Sequence, residues 1–241
     1  GETEIEGRSD FDGEILFIYQ NKTMALTRLK RYSEAKVNCV EIINRIVKEN
    51  DKKDYCFLSQ LYGDLGNVYL EEENLKESEN YYNKAMEYAL LSQDYKAIAL
   101  QKNNLAIIEF NKGNMKSAEA LFAASLAEKK KCNDPRLISE GHYNMGALYM
   151  QLEKIDLSIE SFKESAKVAR DNGYFGLESD AVLALAAVER DFGSKEKSIE
   201  YYEQDLEIKE KIKQEEASSM EELMNVLSKL EKRKAENKID H

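Results

Sequence analysis

Small residues recur at Gly66, Ala106, Gly146 and Ala186, forty residues apart each time. A second series runs twelve residues behind the first: Ser78, Ala118, Ser158 and Ser198. Four residues further on stands an aromatic: Tyr82, Phe122, Phe162 and Tyr202. Three registers sharing one period define a repeat. A period of this length belongs to stacked supersecondary units that cannot bury their apolar faces alone. Such arrays present long concave surfaces to other molecules and seldom carry out chemistry. The repeat therefore constrains fold and function together.

Composition makes the repeating unit helical. The 241 residues hold one proline, Pro135, and eleven glycines, and 34% are charged. That profile fits long helices, and 42% apolar content supplies a sizeable core. No stretch approaches eighteen consecutive apolar residues, so no transmembrane segment is expected. The first residues lack the basic-then-apolar pattern of a secretion signal, and the expected location is cytoplasmic. The net charge of −11 disfavours nucleic acid, whose binders neutralise phosphates with a basic face, and disfavours anionic membrane surfaces for the same reason. Three cysteines, Cys39, Cys56 and Cys132, are odd in number and form no Cys-x-x-Cys pair, which argues against a disulfide framework or a zinc site. Cys39 falls where later repeats carry their aromatic and reads as a core thiol. Cys132 reads as an unpaired thiol in a loop, with a reactive thiol as the alternative.

Residues 1–12 are polar and acidic without a period and read as a disordered leader or a vector remnant; Ile5-Glu6-Gly7-Arg8 resembles a protease-recognition sequence. The helical pattern begins at Ile15. Residues 13–215 divide into five repeats, at about 16–50, 59–92, 99–132, 139–172 and 179–213. The first is divergent: its small positions are Thr23 and Ala35, and three extra residues separate it from the second, placed in the polar stretch 50–54. Tight turns are expected within repeats at Glu72-Glu73-Asn74, Lys112-Gly113-Asn114, Glu153-Lys154 and Gly193-Ser194, and between them at Ser92-Gln93-Asp94, Asn133-Asp134-Pro135 and Asp171-Asn172-Gly173. Small residues let two helices approach closely, and Tyr69, Tyr82, Phe122, Tyr149, Phe162, Phe192 and Tyr202 are expected to fill the core between neighbours. Ser218 or Ser219 with a Glu three residues later can form a capping box. Residues 216–236 then carry an apolar stripe, Met220, Leu223, Met224, Leu227 and Leu230. They read as a separate helix capping the open end of the stack, or as an amphipathic helix that docks on a partner. Residues 237–241 form a tail.

Leu65-Gly66 with Tyr69, then Ser78, Tyr82 and Ala85, resembles a tetratricopeptide repeat. So does Met145-Gly146 with Tyr149, then Ser158, Phe162 and Ser165. Leu105-Ala106 with Gly113, Ala118 and Phe122 is a third copy, and Leu185-Ala186 with Gly193, Ser198 and Tyr202 a fourth. Departures are a forty-residue period in place of thirty-four, no Trp, and no proline after the second helix except at Pro135. Long repeats of this kind are similar to those of kinesin light chains, the Leu-Gly-Asn adaptors of spindle orientation and bacterial peptide-sensing regulators. The resemblance implies an all-α, right-handed superhelical solenoid of antiparallel helix pairs, with the first helices lining a peptide-binding concave groove.

On that arrangement the expected peptide-binding residues are Asn21, Asp64, Asn67, Asn103, Asn104, Ile107, Tyr143, Asn144, Met150 and Gln151. The first repeat can add Gln20 and Met24, while the fifth presents Asp180, Ala184, Ala187, Arg190 and Asp191 in place of asparagine. A short Asn side chain both accepts and donates, as an extended peptide backbone requires; Tyr143, Met150 and Ile107 would supply specificity. The alternative is that these asparagines are solvated or bond between repeats. The Lys and Arg of the family's carboxylate clamp are not at the matching positions. His142 is the one histidine within the repeats, and no His-Glu-x-x-His, phosphate loop or Gly-x-Ser-x-Gly occurs. The expectation is a non-catalytic adaptor without cofactor or metal, whose partner is a protein or peptide. Alternatives are a peptide-sensing module of a larger protein and an assembly protein that self-associates through its terminal helix.

Overall fold

The computed structural model describes residues 10–49 and 54–239. Among them are ten α-helices and no strand: α1 Asp10–Arg28, α2 Tyr32–Glu49, α3 Tyr55–Glu71, α4 Leu75–Ser92, α5 Tyr95–Asn111, α6 Met115–Cys132, α7 Pro135–Gln151, α8 Ile155–Asp171, α9 Phe175–Phe192 and α10 Lys195–Ile239. The chain forms two compact units, Gly1–Asp134 and Pro135–His241. In the first, the pairs α1/α2, α3/α4 and α5/α6 stack in order, and α3 packs on both α1 and α5. In the second, α7/α8 stacks on α9/α10, and α7 packs on α9. The fold class is all-α, built from helix pairs as the period requires.

Turn chemistry sits where the sequence places it. Asp54, Asn74 and Asp94 cap α3, α4 and α5, accepting from the amides of Phe57, Glu77 and Lys96 at 3.2, 3.2 and 2.8 Å. Such caps satisfy orphan donors of the first turn. Left-handed residues recur with the forty-residue period, at Glu73, Gly113 and Glu153 within pairs and at Gln93, Asn133 and Gly173 between them. The insertion expected at 50–54 lies, except for Asp54, outside the described residues, as does the leader up to residue 9. The helical segment starts at Asp10, five residues before Ile15.

The series that define the repeat join α3 to α4, α7 to α8 and α9 to α10. A Cβ on Gly66 would sit 2.5 Å from the ring of Tyr82, and one on Gly146 would sit 2.8 Å from the ring of Phe162. Both distances are shorter than real contacts allow, so the ring occupies the space that a side chain would need. The hydroxyls of Ser78, Ser158 and Ser198 donate to the carbonyls of Gly66, Gly146 and Ala186, each at 2.9 Å. Serine is thus small enough for the close approach and also ties the two helices together. A second set lies twenty-six residues apart. Ser125 donates to the carbonyl of Ala99 at 2.7 Å, and Ser165 to that of Ser139 at 2.9 Å. In the fifth pair Ser179 donates to the carboxylate of Asp205, which also takes Lys209 at 2.7 Å.

Three expectations are corrected. No separate capping helix begins near 216: α10 runs unbroken from Lys195 to Ile239, because Ser218 and Ser219 cost little inside a helix and no described residue packs there to turn the chain. Phe192 and Tyr202 are not core; they are 52% and 39% exposed, whereas Tyr82 and Phe162 are buried. Cys132 is the last residue of α6 rather than a loop residue. It is half-buried, donates to the carbonyl of Glu128 at 3.3 Å and has its pKa raised by burial, the opposite of what a nucleophilic thiol requires. Cys39 is fully buried beside Thr23, its thiol pushed up to about 12 by burial.

Candidate functional site

The first helices carry the expected stripe, and their side chains are committed to different degrees. In the first unit Asn21 and Asn67 are exposed, and Asp64, Asn103, Asn104 and Ile107 are half-buried. The Asn67 oxygen accepts from the Tyr82 hydroxyl at 2.7 Å, so its amide alone is presented outward, as a donor. The Asn104 amide donates to the Gln101 oxygen at 3.3 Å. Gln101 is itself buried and lies against Gly63, where a Cβ would stand 3.1 Å from its nitrogen. Asn104 therefore steadies the α3–α5 contact, and its carbonyl remains for an incoming donor. Gln20 reaches from α1 to the side chains of Gln60 and Asp64, at 3.3 Å each.

Asp64 is the most electrostatically distinctive residue of the stripe. Burial pushes its carboxyl up to about 6, against a smaller downward pull from Gln20. It is ionised at neutral pH and gains a proton in mild acid, switching from acceptor to donor.

In the second unit Tyr143, Asn144 and Met150 are half-buried and Gln151 is exposed. Tyr143 packs edge-on against Phe162, ring centroids 5.3 Å apart, and Met150 joins the same cluster with Leu185 and Val188. Both side chains thus contribute to packing between α7, α8 and α9 as well as to the surface. Of the fifth-repeat residues, Arg190 is paired with the neighbouring Asp191 at 2.7 Å.

Two features escape the forty-residue pattern. Tyr55, Tyr62 and Tyr69 on α3 interleave with Tyr88 and Tyr81 on α4 as a ladder of stacked rings, with centroids 5.2–6.4 Å apart. Lys84 and Lys36 lie over the Tyr62 and Tyr69 faces at 4.3 and 4.7 Å, a geometry that favours cation–π attraction. The sequence signal was a spacing of seven on each helix, hidden under the longer period. In the second unit a cavity of about 320 Å³ opens between α8, α9 and α10, rimmed by Lys163, Lys167, Arg170 and Gln204 over Val182 and Leu185. Arg170 already pairs with buried Glu178 at 2.6 Å. Spaced along one helix, these basic residues resemble an ordinary solvated face in sequence.

Among the described residues no group of His, Cys, Asp and Glu could hold a metal ion, and no helix is long and apolar enough to cross a membrane.

The tetratricopeptide repeat family matches residues 59–90 and 139–172, the second and fourth pairs. The other pairs repeat the same arrangement of two helices joined by a short turn at the forty-residue period. No curated protein matches the chain. Among solved structures it is similar to BtubC (BKLC) from P. vanneervenii, with 17% identity over 83% of this chain and 82% of that one, TM-score 0.71. It is also similar to a signal transduction ATPase with a tetratricopeptide repeat sensor from Pyrococcus horikoshii, with 21% identity over 80% of this chain and 29% of that one, TM-score 0.66. A third is the Rap conjugation gene regulator of the plasmid pLS20 in complex with the Phr peptide, with 17% identity over 88% of this chain and 60% of that one, TM-score 0.65. Likeness at these identities shows a shared fold, and the chain spans under a third of the ATPase and three fifths of the Rap regulator.

Proposed function

We propose that the protein is a non-catalytic adaptor that binds an extended peptide or a helical segment of a partner protein along its first helices. The observation that carries this reading is the polar stripe of the first unit. There α1, α3 and α5 lie in sequence side by side, Asn21 and Asn67 stay exposed, and Asp64, Asn103, Asn104 and Ile107 are half-buried beside them. Asn67 offers amide donors, Asn104 offers a carbonyl, and Asp64 offers a carboxylate. A peptide backbone presents the complements of the first two at every residue, and a basic side chain complements the third. In the second unit Asn144 and Gln151 supply polar contacts beside Tyr143 and Met150. A similar structure, the Rap regulator, is recorded in complex with a peptide, which supports the class of ligand. The free thiols of Cys39, Cys56 and Cys132 suit a reducing compartment, and we place the protein in the cytoplasm.

The structure refines the substitution that tests this. Asn67→Ala would strip the Tyr82 hydroxyl of its acceptor and confuse binding with folding. Asn67→Asp keeps that acceptor and removes the outward donors. Peptides selected from a random displayed library on the wild-type chain should bind the Asn21→Ala/Asn67→Asp variant at least about tenfold more weakly, roughly the loss of one or two hydrogen bonds. Asn83→Asp, at an exposed position of α4, makes the same change of charge and should leave affinity unchanged. Equal affinity of all three proteins would remove this face from the binding site.

A further inference from the structure

The second half of α10 leaves an apolar stripe with nothing packed against it among the described residues. Met220, Leu223, Leu227 and Leu230 are 59%, 53%, 45% and 47% exposed. Their spacing of three, four and three residues is the a and d pattern of a coiled-coil seam. Several leucines and methionines exposed together on one helix mark an interaction surface rather than ordinary scatter. The same seven-residue pattern extends beyond the stripe at both ends, and there the residue types have opposite charge. One seam position before Met220 is Glu216, and one after Leu230 is Lys234.

We propose that residues 213–237 pair antiparallel with the same segment of a second copy of the chain. The register sets Met220 opposite Leu230 of the second copy and Leu223 opposite its Leu227. Seam position 216 then falls opposite position 234 at both ends, Glu against Lys, and Lys213 falls opposite Asn237. A parallel in-register pair instead sets Glu216 against Glu216 and Lys234 against Lys234, like charges at both edges of the seam, which is the arrangement coiled coils select against. The wider charge distribution has the same sense. Residues 215–222 hold four acids and no base, whereas 229–234 hold four bases and one acid, so antiparallel alignment brings opposite fields together. The contact is isologous and closes at two copies. It lies apart from the first-helix stripe and does not depend on the binding role proposed for it.

Sedimentation velocity of the full chain over a concentration series tests the pairing. The wild type should sediment as a reversible dimer in the micromolar range. Leu223→Glu with Leu227→Glu should give a monomer whose repeats remain folded by circular dichroism, since both side chains are exposed in the single chain. Glu216→Lys and Lys234→Glu should each weaken dimerisation about tenfold or more, on the scale of a seam ion pair replaced by like charges, and combining them should restore it. A monomeric wild type, or a dimer that survives the paired glutamates, overturns the proposal. A charge-swapped double variant no tighter than the single ones overturns the antiparallel register.

Discussion

Helices α8 and α10 occupy the same place in successive repeats of the second unit, yet their matching residues meet different surroundings. Phe162 on α8 is 1% exposed and Ala166 is 4% exposed; forty residues on, Tyr202 is 39% exposed and Leu206 is 65% exposed. The difference is α9. It lays Leu185 and Val188 over Phe162, and no described helix does the same for α10. What does not differ is the contact inside the pair. Ser158 and Ser198 are both buried and both donate at 2.9 Å to the carbonyl twelve residues earlier. A repeat motif therefore encodes two separable things: the joint within a pair, which the fourth and fifth pairs both make, and the seat for the next pair, which the fifth leaves open.

Substitutions at matched positions can break or sharpen that distinction. Phe162→Ala should cost about 3–5 kcal/mol in urea denaturation, the range for truncating a buried aromatic, whereas Tyr202→Ala should cost about 0.5 kcal/mol or less, as for an exposed position. Equal losses would mean that the seat on α10 is covered in solution. Gly146→Ala should destabilise by about 1–3 kcal/mol, because the added methyl meets the Phe162 ring and the core must shift, partly offset by about 1 kcal/mol of helix propensity. The measurement is the same denaturation midpoint, and a neutral result would show that the ring has room to move. Ser158→Ala and Ser198→Ala should be equal to each other, each losing about 1 kcal/mol with its buried hydrogen bond. A large gap between those two would show that the open end also loosens the joint within its own pair.

The parts of this fold that were legible in sequence are those decided inside one repeat. Gly66 with Tyr82, Gly146 with Phe162, and the turns at Gln93, Asn133 and Gly173 depend on residues a fixed short distance apart, so a period reveals them. The tyrosine ladder between α3 and α4 does not recur among the described residues of the other pairs, so the common period does not reveal it. The expected break before Met220 rested on Ser218 and Ser219 as cap residues. A cap ends a helix only where packing bends the chain, and there the helix continues. For the candidate site, the sequence proposed Asn21 and Asn67 as peptide-binding residues of a groove stripe, and their side chains are exposed. It did not reveal that the Asn67 oxygen holds Tyr82, fifteen residues away, or that Asn104 holds Gln101. Those bonds depend on side-chain directions that residue type leaves open, and they divide the stripe into donors and acceptors.

The sequence by itself determined that this is an all-helical chain of paired helices, and which residues join each pair. Small, aromatic and hydroxyl residues at fixed offsets admit few close-packed arrangements. Only the tertiary structure decided which of the equivalent positions lie inside. Burial belongs to the helix that arrives from the next repeat: Phe162 is covered because α9 lies over it, and Tyr202 is exposed because α10 runs on past the last pair instead of folding back.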